Sequence, residues 1–435
     1  MALGIRTQPK SMKLGSWLWL LGWVAVAGCS AVSDSPQNTA SVEPAAVAEV
    51  PAVAENAAIV HERLLTMDTH LDTPALLVQP GFDITKRHDP LRDYSQVDLP
   101  RMREGGLDGG FWVIYTAQGP LTDDAYDREY RIANARSNSI TSMTKRYPDD
   151  FELATTAADA QRIVATGKRI VYKSIENAYP IGEDLTRLDR FYRGGVRMLG
   201  PVHFANNQFA DSATDPDGPT WQGLSPLGEQ LVVRANELGM ILDASHAHDL
   251  VFDQLLTLSK TPIILSHSGA KAIFDHPRNI DDARLLRLAE SGGVIQMNAL
   301  GAYLKALPPQ PDRRAALQAL SAETKKIQPP TLESRAAMIA ERRAIDAKYP
   351  AQLASFEDYM THFLHVLELI GSDHVGIGAD WDGGGGVIGM RDIAAFPRVT
   401  DRLLAEGYTE EDLAKIWGGN VLRLLREAEA HRVAE

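Results

Sequence analysis

The stretch LGEQLVVRANELGMILDASHAHD, residues 227–249, decides the reading of the fold. Leu227 to Leu238 is a helix-like run closed by Gly239, the residue that most readily takes the left-handed conformation that ends a helix. GMILDAS (239–245) then reads as a strand without polar alternation, as expected in a parallel sheet covered on both faces. A polar side chain able to do chemistry, His246, follows at its C-terminal end. His248 competes with it but lies further from the strand.

The same unit recurs outward along the chain. Short runs rich in Val, Ile, Leu and aromatic residues appear at RLLTMD (63–68), GGFWVIY (109–115), RIVYKSIE (169–176), GVRMLGPV (195–202), TPIILS (261–266), GGVIQMN (292–298) and HVGIGAD (374–380). With the strand at 239–245 they make eight β-then-α units, which predicts an α/β fold of the closed (β/α)8 TIM-barrel type; an open doubly wound sheet is the second option. The gap from Ala299 to Asp373 is too long for one helix. Its segment 302–355, with LPPQPD, QPPTLE and the charged AAMIAERRAIDAKY, is read as an insertion on the outside of the barrel or over its mouth.

The rest of the chain bounds the function. Its 435 residues are 44% apolar and carry a net charge of −13, so a nucleic-acid partner, which would need clustered cations, is excluded. A single cysteine leaves no disulfide scaffold and no cysteine zinc site. Any metal must therefore be held by His, Asp and Glu. Residues 1–28 have a basic start (Arg6, Lys10, Lys13) and an apolar run from Trp17 to Val26, as in a secretory signal, with Met12 as an alternative start to Met1. Residues 29–58 are rich in Ala, Pro, Ser and Glu and read as a flexible tether, with the domain spanning 59–435.

Residues that carry chemistry fall at the C-terminal ends of six strands. They are His70 and Asp72, Glu176, His203, His246, His267, and the Asp380-Trp381-Asp382 triplet. Any one of them alone would read as an ordinary polar residue, but together at one rim they form a candidate metal site, and three His with an Asp and a Glu suit zinc without thiolate. Lys173 is a further candidate, as a carbamylated bridge, but Glu176 needs no modification and sits nearer the strand end. His362 and His365 are read as helix-face residues. His61, His88, His276, His374 and His431 are read as surface or core residues.

Seven segments resemble the membrane dipeptidase (renal dipeptidase) metallopeptidases. They are MDTHLDTP (67–74), QVDLPRMREGGLDGGFW (96–112), GLSPLGEQLVVRANELGMILDASH (223–246), ILSHSGA (264–270), PRNIDD (277–282), HVGIGADWDG (374–383) and WGGNVLRLL (417–425). The resemblance implies a metal-dependent hydrolase barrel with two Zn2+ per chain, cleaving dipeptides, including ones with a C-terminal D-residue, by attack of a metal-bridging hydroxide. It also implies roles for individual residues. His70 and Asp72 would hold one zinc, His246 and His267 the other, and Glu176 would bridge them. Asp380, rather than Asp382, would shuttle the proton, His203 would bind substrate and stabilise the oxyanion, and Arg278, with Tyr303 beside it, would bind the substrate's C-terminal carboxylate. The chain departs from the family in reading Asp-Thr-His-Leu-Asp at the first motif and in its long insertion. Two other readings stand beside this one: another amidohydrolase-like enzyme, such as a lactonase or deaminase, and a non-catalytic surface lipoprotein.

The end of the leader, Val26-Ala27-Gly28-Cys29, resembles the lipobox of bacterial lipoproteins. It implies lipidation at Cys29 and an exported protein anchored to a lipid bilayer on the periplasmic side, with Ser30 favouring the outer membrane. The oligomeric state, a homodimer included, is left open.

Overall fold

The computed structural model describes residues 52–327 and 329–433. The expected signal segment, Cys29 and most of the expected tether lie outside the described residues. Regular structure begins with the helix Ala52–Arg63, upstream of the boundary expected near Ile59. AVAENAAIVHER is rich in the best helix former, and Ala57, Val60 and His61 bury one face of it.

Among the described residues ten strands follow: β1 (Met67–Leu71), β2 (Gly109–Tyr115), β3 (Phe151–Leu153), β4 (Arg169–Glu176), β5 (Val196–Leu199), β6 (Ile241–Leu242), β7 (Ile264–Ala270), β8 (Asn279–Ile280), β9 (Val294–Met297) and β10 (Val375–Ile377). One parallel sheet runs β1-β2-β4-β5-β6, with the short β3 beside β4, and a second runs β10-β9-β7-β8. Single parallel bridges join them, Asp243 to Ile264 and Leu71 to Trp381. The circuit β1-β2-β4-β5-β6-β7-β9-β10 therefore closes as an eight-stranded barrel in chain order, with β3 and β8 as unforeseen additions at its margin.

Each seam between the sheets is crossed by a buried carboxylate. At the first, Asp68 accepts the amides of His70 (2.7 Å) and of Ala379 (3.0 Å), just beyond β10. At the second, Asp243 accepts the amides of Ser245 and Ser266, both at 2.9 Å, and the Ser266 hydroxyl at 2.5 Å. Several expected strand ends are corrected. β6 stops at Leu242 and β10 at Ile377, short of the expected 245 and 380; the amides of Asp243, Ala244 and Gly378 still reach backbone carbonyls, and those of Ser245 and Ala379 then turn to aspartate oxygens. β1 begins at Met67 rather than Arg63, which ends the preceding helix, and β7 extends to Ala270 rather than stopping at Ser266. His70 and His267 thus lie within strands.

Strand alternation fills the barrel. Met67, Phe111, Ile170, Tyr172, Met198, Ile241, Ile264 and Val294 form one packed cluster, whereas Val171 and Ile175 pack with the outer one. The 302–355 segment carries two helices, Pro311–Lys325 and Leu332–Lys348. The second buries none of its residues and is tied to the body by polar contacts, the Tyr94 hydroxyl to Asp346 and Arg335 to the Pro80 carbonyl. Among the described residues no helix is long and apolar enough to cross a membrane.

A buried donor left without its acceptor costs about 1–3 kcal/mol. Asp243→Ala strands three of them, so urea denaturation should report a loss of about 3 kcal/mol or more in unfolding free energy. A loss below about 1 kcal/mol would mean that the backbone bridge alone holds the seam.

Candidate active site

Glu176 is the centre of the constellation. It ends β4, on the same face as Ile170, Tyr172 and Ser174, so alternation carries it to the top of the barrel interior. Four imidazoles point their Nε2 atoms at its Oε1: His246 at 3.0 Å, His267 at 3.4 Å, and His70 and His203 at 3.5 Å. His70 Nε2 also lies 3.6 Å from Asp72 Oδ2. The Nε2 atoms of His246 and His267 are 2.9 Å apart. All these residues except the half-buried Asp72 are buried.

Local irregularities aim these side chains. The β1 pairing slips between Asp68 and Leu71, and the β7 pairing slips between Leu265 and Ser268. Each slip contains a cluster histidine, His70 and His267, and such bulges turn side chains out of simple alternation. His246, Asp380 and Asp382 adopt left-handed backbone at φ 67°, 65° and 64°. Gly383 is a glycine by close approach, because a Cβ there would run into the carboxylates of Asp72 and Asp380. Behind His267, the Ser266 hydroxyl lies 2.9 Å from Nδ1 and donates to Asp243 at 2.5 Å. Nδ1 therefore carries the proton, and the Nε2 lone pair faces the cluster.

Burial dominates the electrostatics. It pushes the carboxyls of Glu176 and Asp380 up and pulls His203, His246 and His267 well below the usual imidazole range. For His70 burial acts in the same downward sense, but Glu176 and Asp72 outweigh it and raise the pKa well above its ordinary value. Lone pairs crowded this closely, with too few protons to separate them, fit a cationic ligand. Three sets of donors lie close enough to share an ion: His70 with Glu176 and His267, Glu176 with His203 and His246, and His70 with Asp72 and Asp380. His203 and Asp380 thus lie within reach of an ion held by the other donors.

The remaining candidates separate by position. Lys173 faces away, donating to Ser137, Thr141 and the Gly194 carbonyl on the outer side of the sheet, so it is no bridge. Asp382 is occupied by Thr73 and the Gln96 amide, whereas Asp380 makes no side-chain hydrogen bond among the described residues. His248 caps the helix that follows it, His362 bonds the Ala270 amide and the Leu304 carbonyl, and His365 pairs with Asp282. Arg278 is buried, donating to the His267 carbonyl at 3.0 Å, with its guanidinium 5.3 Å from the centre of the Tyr303 ring. A cavity of about 330 Å³ opens above the cluster, walled by Tyr303 on one side and by Tyr115, Glu129 and Arg136 on another. Glu129 and Arg136 sit on the helix Asp123–Arg146, away from any strand end, and the sequence carries no signal that brings them here.

Comparison with known proteins agrees with this geometry. Residues 54–435 match the family model for membrane dipeptidase, peptidase family M19. The dipeptidase tcpJ of Claviceps purpurea is 30% identical over 354 residues, 80% of this chain and 73% of that protein. The crystal structure of the probable dipeptidase PvdM from Pseudomonas aeruginosa is 31% identical with a TM-score of 0.72, covering 87% of this chain and 99% of that one. A metallopeptidase from Rhodobacter sphaeroides, solved with a phosphinate mimic of the dipeptide L-Ala-D-Ala, is 27% identical with a TM-score of 0.67, covering 84% and 99%. The family match over residues 54–435, with a fold shared with solved dipeptidase structures, places this protein in the membrane dipeptidase family of metallopeptidases, family M19.

Proposed function

We propose that this protein is a zinc-dependent dipeptidase, with two ions held at the Glu176 cluster and substrates that include dipeptides with a C-terminal D-residue. The observation that carries the reading is one buried carboxylate oxygen facing four imidazole nitrogens within 3.5 Å. His70 and Asp72 would hold one ion, His246 and His267 the other, with Glu176 between them. Five such side chains exceed what a single tetrahedral ion with an open position uses. When bound, such ions polarise the peptide carbonyl and make hydroxide available near neutral pH. The relative bound to a mimic of L-Ala-D-Ala supports the substrate class.

The chain's own groups divide the remaining work. Asp380, whose carboxylate accepts no competing hydrogen bond among the described residues, takes the proton from the attacking water and delivers it to the nitrogen of the leaving amine. His203 donates from Nε2 to the oxygen on which negative charge develops. Arg278, beside Tyr303, binds the C-terminal carboxylate, and that contact limits the substrate to two residues. Localisation is part of the same proposal: the leader supports export and lipid anchoring at Cys29, in the periplasm or at the outer membrane, with Ser30 favouring the latter.

Three outcomes test this reading. Glu176→Gln should bind less than two metal ions per chain by elemental analysis and lose more activity than the roughly 10–100-fold typical of outer-shell partners. Full activity in wild-type protein carrying one ion would overturn the two-ion site. In Arg278→Ala, loss of a charge-assisted pair of roughly 1.5–3 kcal/mol should lower kcat/KM on free-acid dipeptides by about ten- to a hundredfold, and far less on C-terminal amides. Equal losses on both would make Arg278 a structural residue. Cys29→Ser should release the protein from membranes without altering the kinetics of the purified domain, and mass spectrometry of an unlipidated mature N-terminus would end the anchoring proposal.

A further inference from the structure

Arg136 is a cation in the cavity wall that neither the metal cluster nor the carboxylate-binding role of Arg278 uses. It lies on the cavity side of the helix Asp123–Arg146, and the cavity it lines also reaches Asp72, Glu176 and Asp380. Its Nη1 donates to the carbonyl of Tyr115, the last residue of β2, and its guanidinium carbon lies 5.6 Å from the centre of that residue's ring. Its Nε is enclosed and makes no hydrogen bond. No carboxylate among the described residues forms an ion pair with it within 4.0 Å. Glu129, on the same helix and in the same wall, is the nearest rival for that part, but its Oε1 is held by Arg128 at 3.2 Å. Burial works against the Arg136 charge, and Asp72, Glu129 and Glu176 support it only from a distance. Half-buried in the cavity wall, the guanidinium loses part of its hydration without gaining a paired anion, which is unfavourable. Its placement in a substrate cavity points to an anion supplied by the substrate.

Barrel order says which part of the substrate this is. In the circuit β1-β2-β4-β5-β6-β7-β9-β10, β2 and β7 are four strands apart, on opposite sides of an eight-stranded ring. Arg136 leans on the end of β2, and Arg278 follows β7. A dipeptide whose C-terminal carboxylate is at Arg278 therefore extends its N-terminal residue across the cluster toward Arg136. The wall there includes Ala75 and Ala117, whose small side chains leave room for a substrate side chain.

We infer that Arg136 forms a specificity subsite for the side-chain carboxylate of the substrate's N-terminal residue, so that the enzyme favours dipeptides beginning with an acidic residue. The inference rests on the dipeptidase reading above and adds a substrate preference to it. A carboxylate suits the guanidinium fork, which can bond it through two parallel N–H groups. The neutral amide of glutamine has the same shape but lacks the charge.

The test compares Glu-Ala, Gln-Ala and Ala-Ala as substrates of the metal-replete protein. Wild type should cleave Glu-Ala with a kcat/KM about ten- to a hundredfold above that for Gln-Ala, the range expected for a charge-assisted pair, with the difference mainly in KM. Arg136→Gln should remove most of that preference, costing Glu-Ala far more than Gln-Ala, and Arg136→Lys should restore part of it. Hydrolysis of Ala-Ala with no preference between Glu-Ala and Gln-Ala would overturn the subsite and leave the dipeptidase reading standing. Equal losses on both substrates in Arg136→Gln would do the same, by making Arg136 a structural residue. Hydrolysis of none of the three would overturn both. The wild-type comparison needs no variant, so a poorly folding Arg136→Gln leaves the test intact.

Discussion

The barrel depends on two carboxylates placed where its backbone ladder fails. Ladders join five strands on one side of the circuit and three on the other, but only single bridges link β6 to β7 and β10 to β1. A parallel sheet cannot close while inner amides lack acceptors. Asp243 and Asp68 supply those acceptors from inside the seams. Asp68 is fully buried, and burial pushes its carboxyl up to about 7 despite its two amide donors. Each aspartate lies two or three positions before a histidine of the cluster, so the groups that close the barrel also set the height at which His70 and His246 emerge.

The cluster follows from that closure. Glu176 rises between the seams at the end of β4, and histidines from four other strands or strand ends converge on one of its oxygens. The two half-circuits contribute unequally: His70, Asp72, Glu176, His203 and His246 come from the first, and His267 and Asp380 from the second. The relay from Asp243 through Ser266 to His267 runs across a seam, so the same carboxylate that joins the sheets also sets which nitrogen of His267 faces inward.

Much of this was legible in the sequence, for definite physical reasons. Glycine-closed helices before unbroken apolar runs mark β/α units, and eight of them imply a barrel. Polar residues after those runs mark its active rim. Period-two alternation even separates Lys173 from Glu176, since three positions along a strand reverse the face. Alternation fails at β1 and β7, where register slips turn His70 and His267 inward, and no single sequence shows where such a slip will fall. Short β3 and β8 have too few residues to display a period. Arg136 was beyond reach because its role depends on which face of a long helix meets the mouth, a tertiary fact with no local mark.

His246, Asp380 and Asp382 all hold left-handed backbone without being glycine. For ordinary side chains that conformation costs roughly 1–2 kcal/mol per residue, although aspartate visits it more readily than most. These corners are therefore places where the protein is less stable than it could be, and glycine would relax each of them. Selection for heat tolerance alone would drift toward such replacements and, at His246 and Asp380, erase the chemistry at the same positions. In this fold the search for a hardier scaffold and the upkeep of a working catalyst pull in opposite directions at the same few codons.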